Sequence, residues 1–195
     1  MADVGTIEFH PWKFKDHRGQ IVSLSETELV FGGRKIAWHH DMVSVSKQNV
    51  LRGIHVSLNL WKLVTCVYGR IFLVVVDCRV HLGTDPVFYI PFEKYDELPT
   101  PKLNPGFGKW QSWTIGDADP IMVLVPPGFG LAHLVLSKQA VFYYKWSSPY
   151  DGPEQESYRY DDPRFGIKWP ILHELNCTTR ENIIVQPILS ERDKN

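Results

Sequence analysis

The stretch that decides the fold is Trp61-Lys-Leu-Val-Thr-Cys-Val-Tyr68, followed by Gly69-Arg70 and then Ile71-Phe-Leu-Val-Val-Val-Asp-Cys78. Its two long runs are rich in β-branched, aromatic and other apolar residues, and runs of this kind predict β-strands. Gly69-Arg70 lies between the runs and predicts a tight turn. We therefore expect the two strands to form a β-hairpin.

Three further apolar runs also predict strands: Ile21–Ser25, Ile121–Val125 and Ala140–Trp146. Helical periodicity is nearly absent, and residues 26–31 predict one short helical turn at most. Two stretches predict loops. Residues 95–113 contain three Pro and two Gly, and residues 173–186 are polar without a clear period. Neither is long or biased enough to be a domain linker.

Many strands at short spacing indicate a sandwich or barrel rather than alternating strands and helices. The chain has 195 residues, of which 44% are hydrophobic, so one domain can bury a substantial core. The sequence therefore predicts a single all-β domain over residues 1–195.

Composition excludes several classes of function. The 21 Lys and Arg against 22 Asp and Glu give a net charge of −1, without the basic excess that nucleic-acid binding requires. No apolar stretch approaches the roughly 18 residues of a membrane helix, and residues 1–6 show no secretory signal. Cys66, Cys78 and Cys177 are an odd set without ligand spacing, which predicts buried free thiols. We expect a soluble cytoplasmic protein that binds neither nucleic acid nor membrane.

Histidine is the side chain best suited to proton transfer near neutral pH. His39 and His40 are adjacent and face opposite ways on a strand, and the sequence has no His-x-His or His-Glu-x-x-His word, so no metal site is predicted. In Asn49-Val-Leu-Arg-Gly-Ile-His-Val, alternation places His55 on one face and Arg52 on the other. A half-buried strand histidine with a structural role is the alternative for His55.

Three other residues have a structural alternative as well. Lys62 begins a strand, where a lysine often extends to solvent along apolar neighbours. Tyr143 and Tyr144 must face opposite sides of their strand, and the inward one could simply pack in the core. Asp193 lies near the chain end, where an aspartate is usually solvated and mobile.

Several short sequence motifs, taken together, resemble those of a known family. In chain order they are Phe14-Lys-Asp-His-Arg-Gly, Asn49-Val-Leu-Arg-Gly-Ile-His, Lys62-Leu-Val-Thr-Cys-Val-Tyr-Gly, Val74-Val-Val-Asp-Cys-Arg, Pro126-Pro-Gly-Phe, Val135-Leu-Ser, Tyr144-Lys, Asp162-Pro, Gly166-Ile-Lys-Trp-Pro and Ile188-Leu-Ser-Glu-Arg-Asp. Their order and number, from Phe14 to Asp193, resemble the dTDP-4-dehydrorhamnose 3,5-epimerase family. The resemblance implies a cupin jelly roll of two antiparallel sheets with few short helices. It also implies a cytoplasmic homodimer that needs no metal or cofactor.

The resemblance further implies an enzyme that inverts C3, and sometimes C5, of a nucleotide-linked 4-keto-6-deoxy sugar. It implies His55 as general base, Asp193 as its carboxylate partner and Tyr144 as general acid. Lys62 corresponds to the lysine that stabilises the oxyanion. The implied substrate contacts are Arg18 and Arg52 at the diphosphate, with Tyr150 and Glu156 at the sugar and nucleotide.

Those residue types suit the chemistry. A C4 ketone acidifies the hydrogens on C3 and C5, because the resulting carbanion delocalises onto the ketone oxygen. A base on one face of the ring must remove the proton, and an acid on the other face must return one. An ammonium group meets the enolate oxygen, and a guanidinium group binds two diphosphate oxygens at once.

The sequence also departs from the dTDP-rhamnose pattern, which commonly has Gly-Phe-Ala-His where this chain has Gly128-Phe-Gly-Leu-Ala-His133. The usual Gln-Asp-Asn is His40-Asp41-Met42, and Ser23 replaces a common Glu. We count His133, His40, Asp41 and Ser23 among the predicted substrate contacts. With Cys66-Val-Tyr-Gly and Cys78-Arg79, these departures are more similar to the branch acting on GDP-linked 4-keto-6-deoxyheptoses in capsule and lipopolysaccharide biosynthesis.

Two other functions are compatible with a cupin of this kind. A nucleotide-sugar 3,4-ketoisomerase shares the fold and a histidine base but moves the carbonyl. A catalytically silent sugar-binding cupin would bind the ligand without proton exchange. Lys62 and Tyr144 favour epimerisation over ketoisomerisation.

Overall fold

The computed structural model describes residues 6–24, 29–31, 34–82, 85–87, 102–103, 105–149, 155–170, 173–175 and 182–194. These ranges consist of β-strands and connecting segments, with the 3-10 turn Arg192–Lys194 near the C-terminal end. No helix within them is long and apolar enough to cross a membrane. Nineteen strands, β1–β19, are numbered below in chain order.

Two five-stranded antiparallel sheets form a sandwich. The front sheet has the order β1 (Ile7–Phe9), β14 (Met122–Val125), β8 (Lys62–Tyr68), β16 (Gln139–Trp146) and β6 (His40–Lys47). The back sheet has the order β13 (Trp110–Gly116), β9 (Arg70–Asp77), β15 (Phe129–Val135), β7 (Leu51–Ser57) and β17 (Gln155–Ser157).

Nine short strands form small sheets beside the sandwich. They are the pairs β2 (Lys13–Asp16) with β3 (Gly19–Val22), β4 (Leu29–Phe31) with β5 (Arg34–Ile36) and β18 (His173–Leu175) with β19 (Asn182–Ile184), and the trio β10 (Val80–Leu82), β11 (Asp85–Val87) and β12 (Lys102–Leu103).

The main core lies between the two sheets. Alternate side chains of β8 and β9 point into it, including Val64, Leu73 and Val75, all fully buried. The intervening residues of β9 point outward, but Val74 and Val76 are buried too because Tyr158 and Phe165 cover that face. Burial on both faces explains why residues 71–76 form a continuous apolar run rather than an alternating one.

The turn at Gly69 differs from its predicted geometry. Strand β8 belongs to the front sheet and β9 to the back sheet, so the chain crosses between sheets and the predicted hairpin is wrong. Gly69 has φ +75°, and a Cβ at that position would collide with the carbonyl oxygen of Gln139. A glycine is therefore required at this corner for the same reason as in a hairpin turn.

Most of the other predicted strands are confirmed, whereas the predicted loops are not. The runs at 61–68, 71–78, 121–125 and 140–146 are confirmed as strands within one residue at each end, whereas in the run 21–25 only Ile21 and Val22 are in a strand. Within the segment predicted as a helical turn, residues 29–31 form β4, and residues 26–28 lie outside the described ranges.

Both predicted loops contain strands. Residues 102–103 are in β12, and residues 110–113 begin β13, where Trp113 packs into the core despite the prolines nearby. Residues 173–175 and 182–184 pair with each other as β18 and β19. Strands β12, β18 and β19 have only two or three residues, fewer than the runs on which the prediction depended.

Two of the three cysteines are described, and both are buried free thiols as predicted. Burial raises the pKa of Cys66 to about 11 and raises the pKa of Cys78 well above its ordinary value. Cys177 lies outside the described residues.

Candidate active site

A cavity of about 290 Å³ opens between the two sheets. The back sheet, the front sheet and the C-terminal 3-10 turn all contribute to its wall. Its lining residues are Ser44, Arg52, His55, Lys62, Leu131, His133, Phe142, Tyr144, Trp146 and Arg192. Two of the four predicted catalytic side chains are on β8 and β16 of the front sheet, and His55 is on β7 of the back sheet.

His55 and Asp193 form a hydrogen-bonded pair, with Nε2 of His55 2.6 Å from Oδ1 of Asp193. The Asp193 side chain is 3% exposed, so the alternative of a solvated terminal aspartate is wrong. Ser190 Oγ donates to the other carboxylate oxygen at 2.8 Å. Burial alone would raise the pKa of Asp193, but the hydrogen bonds from His55 and Ser190 and nearby positive charge lower it overall.

The ionised carboxylate fixes the tautomer of the histidine. A carboxylate only accepts hydrogen bonds, so Nε2 of His55 must carry the ring proton. The neutral ring then offers Nδ1 as its basic nitrogen. Asp193 also stabilises the imidazolium that forms when Nδ1 takes a proton.

Lys62 lies inside the cavity wall rather than extending to solvent. The residue is 4% exposed, and its Nζ lies 5.7 Å from the centroid of the Trp146 ring. Desolvation, with a smaller contribution from the positive charge of Arg192, lowers the pKa of Lys62 to about 7. Its ammonium group is therefore a strong hydrogen-bond donor with few competing waters, poised near its own titration point.

The front-sheet wall is aromatic. Phe142, Tyr144 and Trp146 alternate along β16, and neighbouring rings in this row are 5.6 and 5.9 Å apart between centroids. Tyr143 faces the other way, where its hydroxyl group donates to Asp41 at 3.0 Å. Tyr144 is thus the inward tyrosine, on the wall opposite His55.

Arg52 lines the same cavity as His55, so the prediction that the two face opposite sides is wrong. The pairing of β7 with β15 explains the difference. Leu131 pairs with His55 and His133 with Arg52, so three steps on β7 match two on β15. This β-bulge shifts the alternation by one residue. Arg52 Nε then donates to Ser46 Oγ at 3.1 Å.

His133 is the second histidine of the cavity. It is 4% exposed, and its ring stacks on Phe142 with centroids 4.2 Å apart. Desolvation, followed by the positive charge of Arg52, lowers the pKa of His133 to about 3, so the ring is neutral. Within the described ranges, neither His133 Nε2 nor Ser44 Oγ has a hydrogen-bond partner, although both atoms are screened from water.

Three of the predicted substrate contacts lie away from this cavity. Arg18 is on the β2–β3 hairpin, 75% exposed and paired with Asp16 at 2.6 Å. Ser23 lines a different cavity of about 300 Å³, together with Trp12 and Leu63. Asp41 lies on the outer face of the front sheet, 3.0 Å from the Lys145 ammonium group. The structure therefore does not bring these three side chains to the cavity of this chain.

The remaining predicted contacts are close to the cavity or outside the description. Glu156 is half-buried on β17, where its neighbour Ser157 pairs with His55. His40 is half-buried at the start of β6, opposite Trp146. Neither lines the cavity. Tyr150 lies outside the described residues.

Arg192 and Ser44 line the cavity but were not predicted as site residues. Arg192 immediately precedes Asp193 in the same C-terminal motif, but nothing in the sequence indicated a role for it in the site. Ser44 shares the inward face of β6 with Ser46. That alternation could have placed it in the site had β6 been predicted as a strand.

The described residues contain a larger cavity, of about 480 Å³, beneath residues 160–169 and next to Val185–Pro187. None of the four predicted catalytic side chains lines it. We therefore take the smaller cavity as the candidate active site. In the described ranges, no cluster of three His, Cys, Asp or Glu side chains could hold a metal ion.

The chain is similar to known proteins over most of its length. The profile of the dTDP-4-dehydrorhamnose 3,5-epimerase family matches residues 3–84 and 101–195. A dTDP-4-dehydrorhamnose 3,5-epimerase of Shigella flexneri is 30% identical over 193 residues, which are 96% of this chain and 87% of that protein. The same enzyme of Salmonella typhimurium is 31% identical over 176 residues, or 87% and 82%.

Solved structures agree as well. NovW, a 4-keto-6-deoxy sugar epimerase from Streptomyces spheroides, has a TM-score of 0.74 at 26% identity, covering 98% of this chain and 81% of its own. The dTDP-6-deoxy-D-glucose-3,5-epimerase of Legionella pneumophila, in complex with dTDP-4-keto-L-rhamnose, has a TM-score of 0.72 at 25% identity, covering 97% and 85%. These similarities confirm the cupin jelly roll predicted from the sequence. The chain belongs to the dTDP-4-dehydrorhamnose 3,5-epimerase family and is an isomerase.

Proposed function

We propose that this chain inverts C3, C5 or both of a nucleotide-linked 4-keto-6-deoxy sugar, with His55 as base and Tyr144 as acid. The observation that carries the proposal is the 2.6 Å His55–Asp193 pair on one wall of a cavity with Tyr144 on the other. Inversion needs this arrangement, because a proton must leave one face of the ring and arrive at the other.

In the first step, Nδ1 of His55 takes the proton from the carbon next to the ketone. The C–H electron pair forms a double bond from that carbon to C4, and the carbonyl π electrons move to the C4 oxygen, which gives an enolate. Asp193 stabilises the imidazolium, and the Lys62 ammonium group donates to the enolate oxygen. A donor of this kind typically contributes about a hundredfold to a thousandfold in rate.

In the second step, the Tyr144 hydroxyl group gives its proton to the same carbon from the opposite face, and the enolate collapses to the ketone. The step leaves an imidazolium at His55 and a phenolate at Tyr144. Proton exchange with solvent restores both groups. Solvent deuterium must therefore enter the product in heavy water.

The rest of the cavity wall suits a sugar. His133 Nε2 and Ser44 Oγ have no hydrogen-bond partner among the described residues, and both residues line the cavity beside the Phe142 ring. Buried polar groups of this kind are normally satisfied, and a small rotation of either side chain towards the cavity would let it bind a hydroxyl group of a ligand. Arg52 supplies a guanidinium group on the same wall for a diphosphate.

For the nucleotide and the sugar, we propose GDP and a heptose. The relatives are named for a dTDP-linked hexose, dTDP-4-dehydrorhamnose. This chain differs from the common family pattern on the inward face of β6, where it has His40 and Met42 instead of Gln and Asn. Exchange of an amide for a thioether removes hydrogen-bonding groups from the inward face of β6, next to the cavity wall, and changes which base can be recognised. His133 lies two residues further along the chain than the histidine of the common Gly-Phe-Ala-His motif, and this departure supports the same proposal.

The experiment is a panel of GDP- and dTDP-linked 4-keto-6-deoxy sugars, incubated with the protein in heavy water and followed by proton NMR. We expect deuterium at C3 or C5 and inverted product, fastest with the GDP-heptose. Faster turnover of the dTDP-hexose would contradict the nucleotide proposal alone. A product with its carbonyl at C3 would identify a 3,4-ketoisomerase, and binding without exchange would identify a silent sugar-binding cupin.

We also propose that the protein works as a cytoplasmic homodimer. Large apolar side chains are exposed on β3 and just before β2, where Ile21 is 62% and Trp12 65% exposed. The edge strand β6 also exposes Val43. Among the described residues β6 has no strand partner on its outer side, and exposed apolar side chains and a free strand edge each favour association. Light scattering at micromolar concentration should give twice the 22.5 kDa chain mass. A monomer would contradict the proposal.

A further inference from the structure

The catalytic carboxylate is carried by the end of the chain rather than by a core strand. Ile188 pairs with Val50 just before β7, and the chain then turns through residues 190–194 to place Asp193 against His55. Ser190 holds Asp193 from within the turn itself. Residues 190–194 belong to no strand, so the contacts between this turn and the sandwich decide whether the pair forms.

Two side chains beyond the cavity make such contacts. Arg159 Nη1 donates to the backbone carbonyl of Lys194 at 3.1 Å, immediately after Asp193. Ser157 Oγ accepts a hydrogen bond of 2.9 Å from Nε of Arg192, immediately before Asp193. The two residues that flank Asp193 are thus both held by the segment 157–159.

The segment 157–159 is itself anchored to the strand that carries the base. Ser157 pairs with His55, and the backbones of Tyr158 and Ile54 exchange hydrogen bonds of 2.9 and 3.1 Å. Tyr158 is buried against the back sheet. Arg159 is held in a two-pronged pair with Asp161, with both N···O distances 2.9 Å. The base and the turn that carries its partner therefore share one support.

We infer that Arg159 and Ser157 are positioning residues for the His55–Asp193 pair. Neither lines the cavity, so each acts through the C-terminal turn and not on the substrate. The inference rests on the proposed function, in which Asp193 orients His55 and stabilises its imidazolium. A short hydrogen bond of this kind needs its partner held to within about 0.5 Å, which a turn without such anchoring contacts does not provide.

The central test is Arg159→Ala in the full chain, assayed by deuterium uptake with the best substrate of the panel. We expect kcat to fall about tenfold with KM nearly unchanged, as for other residues that orient a catalytic group. Arg159→Lys should recover part of the loss, because an ammonium group can still reach the Lys194 carbonyl. An unchanged kcat in Arg159→Ala would overturn the inference.

Lys194→Ala is the matched control. The Lys194 side chain pairs with Glu191 at the surface, whereas its backbone carbonyl accepts from Arg159, so this substitution keeps the anchoring bond. We expect wild-type kcat. A loss equal to that of Arg159→Ala would show that any disturbance of the turn has the same effect, and would overturn the role of Arg159.

A double-mutant cycle separates positioning from general loss of stability. Once Asp193→Asn has removed the carboxylate, Arg159→Ala should cause little further loss of kcat. Fully additive losses would overturn the inference. Inactivity of the wild-type protein on every substrate would refute the proposed function instead. In that case amide hydrogen exchange at residues 190–194 tests the anchoring directly, with faster exchange expected in Arg159→Ala and an unchanged rate counting against it.

Discussion

The two walls of the cavity are built in different ways. On the front-sheet wall, Phe142, Tyr144 and Trp146 follow one another by simple alternation along a single strand with neighbours on both sides. On the back-sheet wall, His55 depends on a carboxylate 138 residues further along the chain, delivered by a short turn. The proposed acid is positioned by packing, and the proposed base by hydrogen bonds to a C-terminal turn.

This difference separates two kinds of sensitivity. Packing in the eight-residue strand β16 is shared by many contacts, so loss of one hydroxyl group on the front wall leaves the other side chains in place. The back wall has a few directional bonds, and each of them affects the same pair of groups. Substitutions on the two walls should therefore give different kinetic signatures.

The largest effect is expected for His55→Asn on the back wall. His133 is the other imidazole of that wall, but burial lowers its pKa to about 3 and makes it a poor base. We therefore expect deuterium uptake to fall by about 10⁴-fold at every ring carbon. The measurement is proton NMR in heavy water. His39→Asn, at an exposed position, is the control and should keep full activity. Surviving exchange in His55→Asn would mean that another residue is the base.

Lys62→Met is expected to have the next largest effect. Methionine fills a similar volume, but the enolate oxygen loses its donor, and kcat should fall about a thousandfold. Lys47→Met on the exposed side of β6 is the control. A loss confined to KM would instead indicate that Lys62 binds the substrate without stabilising the enolate.

The two walls can be separated by Tyr144→Phe. His55 can still remove a proton and return it to the same face, so deuterium exchange should persist while inversion falls about a hundredfold or more. Tyr143→Phe removes the same hydroxyl group from the outer face of the same strand and should leave both activities unchanged. Equal loss of exchange and inversion in Tyr144→Phe would refute a role limited to the acid.

The same contrast explains what the sequence could predict. Tyr144 lies in a long apolar strand, where alternation alone shows that one of two adjacent tyrosines faces inward. The strands β8, β9 and β14 are mostly buried and β16 is largely apolar, so all four were predicted from their apolar runs. His55, Lys62 and Asp193 were identified through their motifs in the family pattern. The structure brings His55 and Lys62 to one cavity and pairs Asp193 with His55.

The errors have a common cause, since they depend on how one strand meets another. Arg52 was assigned to the wrong face because the bulge opposite Leu131 and His133 appears only when β7 and β15 pair. Gly69 satisfies either a hairpin or a corner between sheets, since both need a positive φ. The support of Asp193 by Ser157 and Arg159 joins segments about 35 residues apart, and no local pattern reports it.

The smallest expected effect is a pH dependence that arises on the front wall. Burial lowers the pKa of Lys62 from its usual range to about 7, so the free enzyme loses the ammonium proton as the pH rises through 7. Only the charged form donates strongly to an enolate, and kcat/KM should therefore decline severalfold between about pH 7 and 8. In Lys62→Arg the guanidinium group stays charged over this range, and the decline should disappear even if the rate is lower. A decline that persists in Lys62→Arg would assign this titration to another group, and the role of Lys62 would then rest on the rate loss of Lys62→Met alone.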